Sequence, residues 1–172
     1  MTYRTKTYIA GDWTGDQDLI HKLYEWNNRD DLKLHFTDAH EITQSRDTSL
    51  YCSIKRSLSE RLDASKAFVL IVGEKTSRLT KGGCHNCSSY DSYHRSCHRS
   101  GRVDYRSYIQ YECEEAKKAG INIIVIYNYA NVYKSKCPET LRYVGKHING
   151  YSYDYYGVKK WNYSAIRDAL CN

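Results

Sequence analysis

Apolar positions along the chain alternate between short continuous runs and longer stretches in which they recur every three or four residues. Short apolar runs are typical of buried strands, and a spacing of three or four is typical of helices that cover a sheet. This alternation predicts an α/β domain with a mainly parallel sheet. The predicted strands are KTYIAGD (6–12), DLKLHFTDAH (31–40), KAFVLIVGE (66–74) and INIIVIYN (121–128).

Three long helices are predicted between these strands. Residues 16–28 place Leu19, Ile20, Leu23 and Trp26 on one face, and Asp16 stands where it would cap the start. Residues 49–65 repeat leucine or isoleucine every fourth position, and residues 105–120 end at a glycine, as a helix C-terminus often does.

The last third of the chain gives weaker patterns. Residues 137–145 predict a helical turn, residues 147–161 a tyrosine-rich strand or loop, and residues 162–172 a closing helix. No linker or repeat divides the sequence, so residues 1–172 are predicted to form one domain with a cysteine- and histidine-rich insert at 80–105.

Composition and charge limit the kinds of binding partner that the chain is expected to have. The chain has 172 residues and a net charge of +6, and its apolar runs are far shorter than a membrane span. The start has no apolar stretch of signal-peptide length, so we expect a cytoplasmic protein with no membrane partner. Residues 75–106 hold seven Lys or Arg against two Asp, a local patch that suits a dinucleotide or an acidic surface, or is only a solvated loop. Because the excess is local, nucleic acid is not an expected partner.

Familiar nucleotide and hydrolase motifs are absent. The first strand is followed by neither a P-loop nor a Rossmann glycine pattern, and no G-x-S-x-G elbow occurs. The third predicted strand ends in Gly73 and Glu74, which leaves no aspartate for a phosphoacceptor receiver.

Ligands of parallel sheets bind beyond the carboxyl ends of the strands. The segments predicted to meet there are Gly11-Asp12-Trp13, Asp38 to Arg46, Gly73 to Thr76, and residues 128–137. Trp13 could stack on a base, although most aromatic residues of this chain must serve as core or surface.

Glu112 is the candidate for catalysis. Ile109, Cys113 and Ala116 form the sheet-facing side of the third helix, and Glu112 lies about 60–100° around from the first two. A carboxylate at that edge, four residues after Tyr108, is expected to be rigid and partly buried, which suits sugar hydroxyls or a developing positive charge on ribose. The alternative is a purely structural glutamate. Of its neighbours, Glu114 is expected to face solvent and Glu115 to form an ion pair.

The insert predicts a structural zinc site. Cys84 and Cys87 form a C-x-x-C knuckle, and Cys97 with His94 or His98 could complete a tetrahedral set. Four protein ligands leave no open position, so such a zinc would be structural. A reduced loop or a redox pair of Cys84 and Cys87 is the alternative.

Residues 5 to 128 resemble the bacterial TIR-like domains related to the Thoeris defence protein ThsB. The resemblance is carried by YIAGDWTGDQDLI, FTDAHEITQSRD, IKRSLSERLDASKAFVLIVGEKT and YIQYECEEAKKAGINIIVIYN. It implies a flavodoxin-like, three-layer TIR fold. The segment YIAGDW replaces the usual aromatic-Ser-aromatic opening, and the insert is not part of the general TIR pattern.

For function, the resemblance implies NAD+ as substrate, release of nicotinamide and formation of an ADP-ribose-derived signal during phage infection. The family's glutamate corresponds to Glu112, and its nucleotide-contacting loops correspond to Gly11, Asp12 and Trp13 and to Asp38 through Arg46. Gly73 and Tyr108 are added to the predicted nucleotide site from their positions. Expected partners are a nucleotide-sensing effector and further copies of the chain. A non-catalytic interaction module and a nucleoside deoxyribosyltransferase-like enzyme are the alternatives.

Overall fold

A computed structural model describes residues 4–39 and 50–171. Its helices and strands occur in the following order: β1 Lys6–Ala10, α1 Gln17–Asn28, α2 Tyr51–Asp63, β2 Ser65–Val72, β3 Tyr90–Asp91, β4 Ser96–Cys97, α3 Tyr108–Ala119, β5 Asn122–Tyr127, β6 Lys146–Asn149, β7 Tyr151–Tyr153, β8 Lys159–Trp161 and α4 Tyr163–Leu170. Among these described elements, none of the helices is both long and apolar enough to cross a membrane.

Four strands form a parallel sheet in the order β1-β2-β5-β6. The central strand β2 is buried along nearly its whole length, as its continuous apolar sequence predicts. Outside β1, Thr37 and Ala39 exchange backbone hydrogen bonds with Thr7 (2.8 and 2.9 Å). This segment takes the place of the second strand in the flavodoxin-like order 2-1-3-4-5.

Two apolar layers enclose the sheet and confirm the predicted helix faces. The apolar residues of α1 and α4 pack on one face of the sheet, with Ile9, Val69 and Ile124. The apolar residues of α2 and α3 pack on the other face, with Tyr8, Phe68 and Val125. The fold is therefore the expected three-layer α/β arrangement. The crossovers after β1 and β2 leave on opposite faces, so these two strand ends flank the position where ligands of such sheets bind.

The strand predicted over residues 31–40 is much shorter in the structure, where only 37–39 among its described residues pair with β1. Leu34 and Phe36 are buried as expected, but within the described residues the only sheet pairing of this segment is one bridge between Asp38 and Thr7. The Asn27 side chain accepts a hydrogen bond from the Phe36 amide and donates one to its carbonyl. His35 has a positive φ of 54°. Since a side chain occupies the backbone groups that a neighbouring strand would pair with, no regular strand extends here.

Candidate active site

The helix that carries Glu112 begins at a well-defined cap. The Ser107 hydroxyl accepts a hydrogen bond from the Gln110 amide, and the Gln110 side chain accepts one from the Ser107 amide. This reciprocal capping box fixes where α3 starts. The helix then runs from the carboxyl end of β2, after the insert, back to the start of β5. Glu112 lies in its second turn, in the half of the helix near the carboxyl edge of the sheet.

The side chain of Glu112 is buried against β1. The residue is 6% exposed, and the Tyr8 hydroxyl donates a hydrogen bond of 2.5 Å to Glu112 Oε1. Tyr8 lies in the middle of β1, and 104 positions separate the two residues. The expected burial of Glu112 is confirmed, and it is deeper than the partial burial predicted from the helix geometry.

The neighbouring glutamates of α3, Glu114 and Glu115, form ion pairs with basic side chains. Glu115 forms an ion pair with Lys118 (2.8 Å), as expected. Glu114 does not simply face solvent, because Arg106 reaches it at 2.6 Å. The contact between Arg106 and Glu114 has a local cause. Arg106 immediately precedes the helix cap, so its long side chain can fold back over the first turns of α3.

Aromatic and acidic side chains follow the end of β1. The Trp13 ring is 43% exposed, and its centroid lies 6.3 Å from that of Tyr24. The Tyr24 hydroxyl in turn donates a hydrogen bond to the Asp38 carboxylate. Burial and this hydrogen bond raise the pKa of Tyr24, so the phenol remains a donor. Asp38 also contributes to raising the pKa of Tyr8, after burial and Glu112. Thus Asp38 and Glu112 both act on the same buried phenol.

The predicted nucleotide residues separate into two groups. Tyr8 and Tyr24, which the sequence reasoning did not select, connect Glu112, Asp38 and Trp13 to β1 and α1. Tyr108 instead packs its ring against Tyr51 of α2, and its hydroxyl is buried without a hydrogen-bond partner among the described residues. Arg46 lies outside the described residues.

The glycines and Asp12 shape the loops. The Asp12 carbonyl accepts a hydrogen bond from the Asp16 amide, and its carboxylate accepts one from the Thr14 amide. At Gly11 an added Cβ would lie 3.1 Å from Ile71 Cβ, and at Gly73 it would lie 2.0 Å from Asp16 Oδ1. These residues allow close approach of the backbone at the ends of β1 and β2.

Asp16 occupies the N-cap position of α1, as predicted, but its side chain does not cap the helix. The residue is 2% exposed, and no hydrogen bond of its side chain caps the helix. Its Oδ1 accepts a hydrogen bond from Asn128 Nδ2 (3.1 Å), while Oδ2 has no partner among the described residues. Burial is the main cause that raises the pKa of Asp16 to about 6. The carboxylate turns inward because Gly73 leaves room for it.

The insert is closed at its base. The Cys84 amide donates to the Asp104 carbonyl, and the Asp104 amide donates to Cys84 Sγ (2.9 and 3.2 Å). The buried Lys55 of α2 donates to the Arg106 carbonyl (2.7 Å) and pairs with the Asp104 carboxylate (3.3 Å). These contacts attach the insert to α2 and α3. From this base the short antiparallel pair β3–β4 projects.

The structure does not bring the predicted zinc ligands together. Cys84 and Cys97 are buried, Cys87 is half-buried, and His94 Nδ1 lies 2.6 Å from Asp91 Oδ2 instead of joining the sulfurs. Across residues 4–39 and 50–171, no three His, Cys, Asp or Glu side chains form a group that could hold a metal ion. Hydrogen bonds from the Ser100 hydroxyl and nearby amides lower the pKa of Cys97.

Part of the chain is similar to a known protein family. The family model described as Thoeris protein ThsB, TIR-like domain, matches residues 8–81. This match supports a ThsB-related TIR-like domain. A search of curated proteins found no match.

The match covers only part of the candidate site in this TIR-like domain. It includes Tyr8, the β1–α1 loop with Trp13, Asp38 and Gly73, and it ends at the start of the insert, before Glu112. The role of Glu112 therefore depends on its geometry, and the ThsB relation supports the scaffold that surrounds it.

Replacing Asp16 by asparagine is expected to remove a pH-dependent loss of stability. A carboxyl group whose pKa is near 3.9 in the unfolded chain and about 6 in the TIR-like domain stabilises the fold least when ionised, so its contribution falls as the pH rises from 4 to 6. Relative to the variant, the wild type should lose roughly 2 kcal/mol of unfolding free energy between pH 4 and pH 7. Urea unfolding of both proteins across this range measures the difference, and parallel curves would contradict it.

The zinc site remains a prediction from the spacing of the cysteines. It predicts about one tightly bound zinc per chain in untagged protein. Elemental analysis after extensive dialysis tests it, with Cys84→Ser expected to lose the metal. A zinc content well below one per chain in the wild type would contradict the prediction. The insert would then be held by the hydrogen bonds at its base alone.

Proposed function

We propose that this ThsB-related protein cleaves NAD+ at the bond between nicotinamide and ribose and converts the remainder into an ADP-ribose-derived signal in anti-phage defence. The observation that carries the proposal is a buried Glu112 held against β1 beside the carboxyl edge of the sheet. The match of residues 8–81 to ThsB supports it. A nucleotide-sensing effector would receive the product.

In the proposed reaction, the bond between ribose C1′ and the nicotinamide nitrogen breaks. Both bonding electrons leave with the nitrogen, which departs as neutral nicotinamide, and positive charge develops on C1′ and the ring oxygen. An acceptor oxygen or nitrogen then bonds to C1′ and loses its proton. Water as acceptor gives ADP-ribose, and an atom of the same nucleotide gives a cyclic product. The charge at C1′ is what the protein must stabilise, as in glycosidases.

Glu112 is suited to that charge. A carboxylate in a site with little water interacts more strongly with a nearby positive charge than one in open solvent. It can also accept hydrogen bonds from the hydroxyls of the nicotinamide-side ribose. Both interactions orient the sugar while the C–N bond breaks.

The other residues of the site would bind the nucleotide. Trp13, which is partly exposed and lies beside Tyr24, would stack on a ring of the nucleotide. Asp38, ordered by the Tyr24 hydroxyl, offers a second carboxylate for ribose hydroxyls or the nicotinamide cation. Gly11, Asp12 and Gly73 shape the loops, as their contacts indicate.

The test is the fate of NAD+ with the wild-type protein, both purified and in cells during phage infection. We expect one nicotinamide released for each NAD+ consumed, with ADP-ribose or an isomer of cyclic ADP-ribose as co-product. Deoxynucleosides with a free acceptor base serve as a parallel substrate. Base exchange without loss of NAD+ would indicate the transferase alternative, and intact NAD+ in both settings would contradict the proposal.

A further inference from the structure

The hydroxyl of Tyr8 is the one polar atom of a side chain that otherwise behaves as core. Tyr8 is fully buried, and its ring stacks on Phe68 with centroids 5.6 Å apart. A phenylalanine would fill this position equally well. A buried phenol requires a partner, and the partner here is the carboxylate of the proposed catalytic residue, at 2.5 Å.

The proton of this hydrogen bond belongs to the tyrosine. Burial, the charge of Glu112 and the hydrogen bond itself raise the pKa of Tyr8 well above its ordinary value. Tyr8 therefore stays a donor, and Glu112 acts as the acceptor. Hydrogen bonds from a neutral donor to a carboxylate are among the stronger ones in proteins.

The bond also connects two separate parts of the site. Tyr8 and Trp13 belong to one continuous unit, β1 and the loop after it, whereas Glu112 stands on α3. Without the hydroxyl, the carboxylate would lose its contact with β1. With it, the position of Glu112 relative to the loop that bears Trp13 is fixed by a direct contact.

We infer that Tyr8 is a positioning residue, whose hydroxyl holds Glu112 as an oriented carboxylate so that it meets the ribose of a nucleotide bound over Trp13. The inference rests on the proposed NAD+ cleavage. It adds a residue from β1 that the site would need in addition to the glutamate.

Tyr127 provides a matched comparison within the same apolar layer. It is also fully buried, on β5, and its hydroxyl is paired with His147 Nδ1 at 2.8 Å, with no described contact to Glu112. Tyr8→Phe and Tyr127→Phe each remove one buried phenol oxygen and keep the ring. Any general effect of that deletion on the core should be common to both variants.

The kinetic test compares the two variants with the wild type. Tyr8→Phe should lower kcat for NAD+ cleavage about 10- to 100-fold with little change in KM, the range expected for losing a hydrogen bond to a charged group. The acidic limb of its pH–rate profile should move to higher pH, because the carboxylate has lost a hydrogen-bond donor. Tyr127→Phe should keep the wild-type kcat and profile.

A second readout does not depend on turnover. In protein with ¹³C-labelled glutamate, the Glu112 carboxyl resonance is assigned by its disappearance in Glu112→Gln. Its shift and titration should change in Tyr8→Phe and stay unchanged in Tyr127→Phe. Thermal unfolding of both tyrosine variants verifies that each is folded.

The outcomes separate the two proposals. If the wild type cleaves NAD+ while Tyr8→Phe retains its kcat, its pH profile and its Glu112 resonance, the positioning role is overturned and the proposed function stands. If no protein cleaves NAD+, the proposed function fails. In that case the resonance alone decides whether Tyr8 orients the carboxylate.

Discussion

Replacing Glu112 by glutamine is expected to lower kcat for NAD+ cleavage by about 10³-fold. Glutamine has nearly the same shape and can still accept the Tyr8 hydrogen bond through its amide oxygen, so the fold and the position of the side chain should persist. What is lost is the negative charge opposite the developing charge at C1′. Nicotinamide release, measured by chromatography at saturating NAD+, gives the effect on kcat.

Glu115→Gln is the matched control for this experiment. It makes the same chemical change three residues later on the same helix, in an ion pair with Lys118. Its kcat should stay within about twofold of wild type, since surface ion pairs contribute little. Wild-type turnover by Glu112→Gln would show that a different group stabilises the transition state.

Replacing Gly73 by alanine should destabilise the protein by about 3 kcal/mol, or roughly 6–12 °C in Tm for a chain of this size. The added Cβ would lie 2.0 Å from Asp16 Oδ1 and 2.5 Å from its Cγ. Asp16 is buried and bonded to Asn128, and the Gly73 amide is itself bonded to Thr76 Oγ1. Neither side can give way without breaking a hydrogen bond. Calorimetry at pH 7 measures the loss.

Gly101→Ala distinguishes this clash from a general cost of replacing glycine. Gly101 has a φ of 66°, and an added Cβ would meet nothing within 4 Å. Alanine there should cost about 1 kcal/mol, from the backbone conformation alone. Equal losses in the two variants would contradict the steric explanation at Gly73.

The order of strands and helices follows from the apolar pattern wherever burial is simple. β2 and β5 are continuous apolar runs, and they are the two central strands. The helix faces were predictable because their sheet-facing residues recur every three or four positions. Residues 31–40 were predicted wrongly because the Asn27 side chain of α1 hydrogen-bonds to the Phe36 backbone. A contact with another element cannot be read from the alternation of apolar residues within 31–40.

The candidate site was predictable only within one element. Glu112 could be placed at the buried edge of α3 because its angle follows from helix geometry. Its partner Tyr8 could not be predicted in the same way, because the two residues are 104 positions apart. They come into contact only when α3 packs on the sheet that contains β1. Asp16 was assigned to capping because aspartate commonly caps helices. Its inward turn depends on Gly73, the residue after β2, which leaves space for a carboxylate.

The closed base of the insert makes its outer part structurally separable from the α/β domain. Cys84 and Asp104 already meet through two hydrogen bonds, so the chain enters and leaves the insert at neighbouring points. A shorter or longer excursion between them would change the entropy of loop closure only slightly. A change in the length of the chain between Cys84 and Asp104 should therefore leave α3 and Glu112 in the same position.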